Sequence, residues 1–135
     1  MAEAKFLRAF AYFDLVRIFG DVPMLTKPAT TDEAYKLARE KADRIYDEII
    51  IKDLMDAENA LPTKYTGTDV GRATKGAAKA ILGRVYMTRK DFVKAEAKLQ
   101  EVTTLGYSLL PNFNDLFVYT KDEHHSEYIF DIEYE

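Results

Sequence analysis

Residues 72–105 read Arg72-Ala-Thr-Lys-Gly76-Ala-Ala-Lys-Ala80-Ile-Leu-Gly83-Arg-Val-Tyr86-Met-Thr-Arg-Lys-Asp91-Phe-Val-Lys-Ala95-Glu-Ala-Lys-Leu99-Gln-Glu-Val-Thr-Thr-Leu105. The pattern predicts two antiparallel helices joined by a tight turn at Arg89-Lys90-Asp91. Gly76, Ala77, Ala80 and Gly83 put small residues on one side of the first helix. A glycine inside a helix costs about 1 kcal/mol against alanine, so two of them need a return, and close packing of a neighbour is the simplest one. Asp91 suits the N-cap of the second helix, because its carboxylate can accept free N–H groups of the first turn. Gly106 follows the last periodic residue and suits a left-handed C-terminal position.

The spacing matches the tetratricopeptide pattern. Leu82-Gly83 is followed by Tyr86, by Ala95 and by Leu99. Lys79 stands where tryptophan is usual, and Tyr107 where proline is usual. The plainer reading of the same periodicity is any helical hairpin.

The remaining chain extends this theme on the N-terminal side. Residues 2–19 predict a helix with two apolar strips, one of Phe6, Phe10 and Phe13, the other of Leu7, Ala11 and Ile18. A helix apolar on two sides is expected to be covered on two sides. Where cover is missing, the helix should rearrange or be buried by self-association. Gly20 ends this helix, and Asp21-Val-Pro23 turns the chain. Thr30 with Glu33 forms a capping-box signature. It predicts a second helix running to about residue 57, with Tyr35, Ala38, Ala42, Ile45 and Ile49 as its inward stripe. Charged residues such as Glu40 and Arg44 cover the outside as i,i+4 pairs. The expected organisation is a single partial domain: a hairpin over 2–57, a loop over 58–71, a hairpin over 72–105, and a turn and strand over 106–135.

Pro62, Gly67 and Gly71 among threonines mark residues 58–71 as a surface loop. Tyr65 within it is either loop cover or a platform for a sugar ring. After Gly106, residues 107–110 read as extended and 111–115 as a turn. Glu127 to Tyr134 alternates, with Tyr128, Phe130, Ile132 and Tyr134 on one face, and period two predicts a strand. Its available partners are residues 107–110 or another chain.

Composition excludes several classes. The chain has 135 residues, a net charge of −4 and no Lys/Arg cluster, so nucleic acid is not expected as a partner. There is no cysteine, hence no disulfide and no thiol nucleophile. No run of about 18 apolar residues exists to span a membrane as a helix. No basic-then-apolar leader opens the sequence, which as written implies a cytoplasmic chain or the interior of a longer exported one. No cofactor is expected, for there is neither a P-loop nor a dinucleotide fingerprint. No catalytic residue is assigned. Asp21 is the nearest candidate acid, and its place in a proline turn explains it without chemistry. His124 and His125 point to different sides in any regular backbone, so with Asp122, Glu123 and Glu127 they are read as a solvated loop and not as a metal site.

Several segments taken together resemble one family. Phe6-Leu-Arg-Ala-Phe10-Ala-Tyr-Phe-Asp-Leu-Val-Arg-Ile-Phe19-Gly-Asp-Val-Pro-Met24 resembles the signature helix and turn of the SusD/RagB proteins. Gly71 to Tyr86 resembles their second signature. Gly106-Tyr-Ser-Leu-Leu110, Leu116-Phe117 and Ser126 to Glu133 resemble the segments that follow. The resemblance implies a mainly α fold of tetratricopeptide-like hairpins. It also implies a non-enzymatic, surface-facing outer-membrane lipoprotein of Bacteroidetes that captures glycans over a TonB-dependent transporter of the SusC type. This chain would then supply scaffold and docking surface, with little glycan affinity of its own. The matched segments are structural signatures, so no ligand-binding residue is carried over. The rival readings are a tetratricopeptide-like interaction adaptor that binds a peptide in its groove and, further off, a small hydrolase.

Overall fold

The computed structural model describes residues 1–118 and 125–132. Its frame is a row of four antiparallel helical segments. Helix α1 spans Ala2–Phe19. The second segment starts as α3 (Ala42–Ile45), passes through a π-helical turn (Tyr46–Ile51), and continues as α4 (Lys52–Ala60). Helices α5 (Lys75–Thr88) and α6 (Phe92–Thr103) complete the row. Cross-links fix the directions: Lys5 with Asp56, Arg8 with Asp53, and Phe13 edge-on to Tyr46 tie α1 to the second segment in reverse order. Among the described residues, no helix is long and apolar enough to cross a membrane.

The α5–α6 hairpin forms as its sequence predicts. Lys90 takes a positive φ of 62° in the turn. Asp91 caps α6 by accepting from the Lys94 amide at 3.3 Å and from its ammonium at 2.7 Å. Gly106 adopts φ 89°. The two helical glycines are seats for large neighbours. A Cβ at Gly83 would stand 2.7 Å from Leu99 Cδ2, and one at Gly76 would meet the ring of Tyr107 at 2.8 Å. Tyr107 therefore covers Gly76, at the place where the repeat usually has proline.

Lys79, in place of the usual tryptophan, lies among charges. With Lys98 it brackets Glu58 and Glu101: Lys98 donates to Glu58 Oε1 at 2.9 Å, and Lys79 pairs with Glu101. Glu58 is buried, and its Oε2 has no hydrogen bond, although Lys79 Nζ lies 3.7 Å away. These pairs join α4, α5 and α6. Burial alone would lower the pKa of Lys98, but its bonds to Glu58 and Glu101 together raise it.

Two expectations are corrected. The helix opened by the Thr30–Glu33 capping box is only five residues long, α2 at Thr31–Tyr35. None of its residues is buried and Tyr35 is 85% exposed, so no packing carries it further. The chain instead pairs Arg39–Glu40 (β2) with Val22–Pro23 (β1), closing the excursion. A new helix then starts at Ala42, whose amide is accepted by Asp21 Oδ1 at 2.9 Å. The π turn adds a residue, and Ile45, Tyr46, Ile49 and Ile50 are all buried.

The C-terminal segment is the second correction. Residues 125–132 form turns and bends and no strand, while residues 133 and 134 lie outside the described residues. One backbone bond, Ser108 N to Ser126 O at 3.0 Å, joins this segment to residues 107–110. Two residues on, the Leu110 amide donates instead to the Glu127 carboxylate at 2.9 Å, so no ladder propagates. Ile129 and Phe130 both turn toward the core, which breaks the alternation. Phe130 lies edge-on to Phe6 at 4.9 Å and to Phe10 at 5.9 Å.

Helix α1 is covered on one side only. Phe6, Ala9, Tyr12, Phe13 and Val16 are buried. The other strip is open, with Leu7 53%, Leu15 41%, Ile18 70% and Phe19 61% exposed. Four layers in a row leave this strip without cover among the described residues, so the cover it is expected to have falls to self-association or to a partner.

A candidate ligand cleft

A concavity lies beside the end of the last hairpin, between residues 63–74 on one wall and 125–131 on the other, with 105–107 as floor. Its volume is about 1010 Å³. Because the C-terminal segment folds back along α1 through Phe130, it stands opposite the 63–74 loop.

The loop wall is held by a clasp on Glu3 of α1. Arg72 donates Nε to Glu3 Oε1 at 2.7 Å and Nη2 to Oε2 at 2.6 Å, a two-pronged pairing that fixes both groups. Its Nη1 donates to Asp69 at 2.7 Å. Tyr65 OH donates to Glu3 Oε1 at 2.8 Å, and the Arg72 guanidinium sits 5.4 Å over the Tyr65 ring. Hydrogen bonds from Arg72 and then Tyr65 hold the Glu3 carboxyl below its usual range. Burial, and then the bond to Glu3, raise the pKa of Tyr65. On the floor, the Tyr107 and Thr74 hydroxyls are 3.3 Å apart, and Thr74 also caps α5 by accepting from the Ala77 amide.

The far wall carries His125, Ser126, Tyr128 and Asp131. The His125 and Tyr128 rings lie 3.9 Å apart. Nδ1 of His125 accepts from the Glu127 amide at 3.2 Å, which leaves the proton on Nε2, and that atom is enclosed without a partner among the described residues. The arrangement offers aromatic faces and a few polar groups in a concave setting, the general make-up of a small-molecule site.

Tyr65, the residue read from sequence as loop cover or platform, is part of this cleft. Arg72, Tyr107, Tyr128 and Asp131 were not legible as companions. Their only signal was a concentration of tyrosines in segments lacking helical periodicity. Asp21 lies elsewhere and caps a helix: the Ala42 amide, then Lys41, lower its pKa. Of the residues weighed against a metal site, Asp122, Glu123 and His124 lie outside the described residues. Among the described residues, no three metal-ligating side chains converge.

Comparison with known proteins decides the family. Residues 1–87 match the SusD-like model described as starch-binding and associating with the outer membrane. The chain belongs to the SusD-like family. It is 36% identical over 140 residues to SusD-like protein P2 of Formosa agariphila, covering 98% of this chain and 27% of that protein. It is 28% identical to the starch-binding protein SusD of Bacteroides thetaiotaomicron, covering 90% of this chain and 22% of that one. Among solved structures, a SusD-like protein from Bacteroides fragilis superposes with a TM-score of 0.88 at 34% identity, over 98% of this chain and 27% of that one. A laminarin-binding SusD-like protein superposes with a TM-score of 0.86 at 35% identity, over 96% and 29% respectively. The chain thus spans about a quarter of the length of its SusD-like relatives. The SusD-like family is a carbohydrate-binding one whose description places it at the outer membrane, and the mainly α, tetratricopeptide-like architecture agrees with it.

Proposed function

We propose that this chain is the helical scaffold of a non-enzymatic glycan-binding component at the outer membrane. In that reading it works with a TonB-dependent transporter of the SusC type, which takes up what is captured. The observation that carries the reading is the 0.86 superposition on a laminarin-binding structure over 96% of the chain. The internal geometry agrees: the polar groups of the loop wall are bound to one another, which suits a frame better than a reaction centre. The expected affinity of the chain alone is therefore low.

A calorimetric titration with laminarin and with starch, followed by an assay for new reducing ends, tests this. The expected result is weak or undetectable heat and no cleavage. Release of reducing ends would overturn the non-enzymatic reading, and micromolar binding would overturn the assignment of scaffold. Co-purification of a transporter with the longer polypeptide carrying this sequence tests the partnership. The same reading expects copies of the isolated chain to associate through the open strip of α1.

A further inference from the structure

We propose that the cleft between residues 63–74 and 125–131 is a subsite for a neutral oligosaccharide. The proposal rests on the glycan reading above and adds the place and the charge class of the ligand.

The charge argument comes first. Arg72, the strongest cation on the walls, is neutralised by Glu3 and Asp69. That leaves Lys64 on one wall and Asp131 on the other, neither in an ion pair among the described residues. One positive and one negative group give the cleft no net attraction for a polyanion. They do match a hydroxyl, which donates and accepts at once: Asp131 can only accept and Lys64 can only donate. Thr63 and Thr68 add hydroxyls on the Lys64 side.

The apolar part of the match is aromatic. Tyr65, Tyr107 and Tyr128 each line the cleft and each is half-buried, so part of every ring is presented to the concavity. A sugar ring has an apolar C–H face and a polar rim, which suits amphipathic aromatic walls flanked by polar groups. The rings are held in place before any ligand arrives. Tyr65 is clasped by Glu3 and Arg72, and Tyr107 lies on the bare backbone of Gly76. The volume of about 1010 Å³ lies at the upper end of the range for ligand pockets, room for several sugar rings and not one. Because the cleft is open to solvent and few of its polar groups are unengaged, the contact is weak, in the millimolar range.

The test is amide-resolved NMR of the ¹⁵N-labelled 135-residue chain, titrated separately with laminarihexaose, maltoheptaose and oligogalacturonate. Shifts are expected for a neutral glycan at residues 63–74, 105–107 and 125–131, with none for the oligogalacturonate. Asp131→Ala, which breaks no ion pair among the described residues, is expected to weaken the neutral glycan by about tenfold. Tyr35→Ala, on the exposed helix far from the cleft in sequence, should leave it unchanged. Glycan-induced shifts confined to other residues would overturn the subsite while leaving the glycan reading intact. Tighter binding of the oligogalacturonate would overturn the charge class. Absence of shifts with both neutral glycans at tens of millimolar would overturn the subsite while leaving intact the scaffold reading, which expects little affinity of this chain.

Discussion

Asp53 is 2% exposed, and both of its carboxylate oxygens receive Arg8, at 2.6 and 2.8 Å. Replacing it with alanine leaves a guanidinium facing a hydrophobic seam between α1 and α4. Because Arg8 is partly exposed and can reach water, the loss is expected to fall below that of a fully buried pair. About 2 kcal/mol, read as a lower midpoint in urea unfolding, is the expected outcome. Glu3 works at the rim of the cleft and responds to pH. Its carboxyl titrates below the ordinary 4.5 because Arg72 and Tyr65 bond the ionised form. The clasp therefore contributes fully above pH 4.5 and is lost as the pH falls through the lower folded value. Urea midpoints between pH 6 and pH 3 should fall less for Glu3→Gln than for the parent protein. Equal pH dependence would show that the clasp carries no stability. Gly76→Ala is a third expectation. The gain of about 1 kcal/mol in helix propensity is outweighed by eviction of the Tyr107 ring, so net destabilisation of about 1 kcal/mol is expected in thermal unfolding.

Among the elements, α1 carries an unusual load. Its inner side meets the second segment through apolar contacts and two ion pairs. Its outer side presents Leu7, Ala11, Leu15 and Ile18 to water along one stripe. Exposed apolar strips of this kind drive association. Light scattering should show concentration-dependent growth of the isolated chain, and Leu15→Lys with Ile18→Lys should abolish it while circular dichroism keeps its helical signal. A monomer at all concentrations that also fails to bind an apolar dye would contradict this. The segment over 42–60 shows how a helix can keep a wide apolar face: the π turn brings Ile49 and Ile50 inward together. The α5–α6 hairpin is the most self-contained pair, with caps at both starts and a glycine seat for Leu99.

For the molecule as a whole, the four segments form an open row. The one end is the bare strip of α1, and the cleft lies beside the end of the last hairpin. Neither is a sealed pocket with converging free polar groups, which is what the proposed scaffold role expects. What was legible beforehand was local. The 2–19 helix, the α5–α6 hairpin with its Asp91 cap, the left-handed Gly106 and the Thr30–Glu33 box all depend on neighbours within a few residues, so spacing alone announces them. The short life of α2 was not legible, since Tyr35 and Ala38 have the right period and lack only something to pack on. The start of the next helix at Ala42 depends on Asp21, far back in the chain. The failed strand at 127–132 has the same cause: alternation promises two faces, but Phe130 was claimed by Phe6 and Phe10 and the ladder amide by Glu127. The amino-acid order by itself determined the helix over 2–19, the hairpin of α5 and α6, the caps at Thr30 and Asp91, and the family these segments resemble, because those properties follow from contacts along one turn. Only the tertiary structure decided which apolar strip is covered and which tyrosines share a cleft, because both depend on side chains brought together from distant parts of the chain.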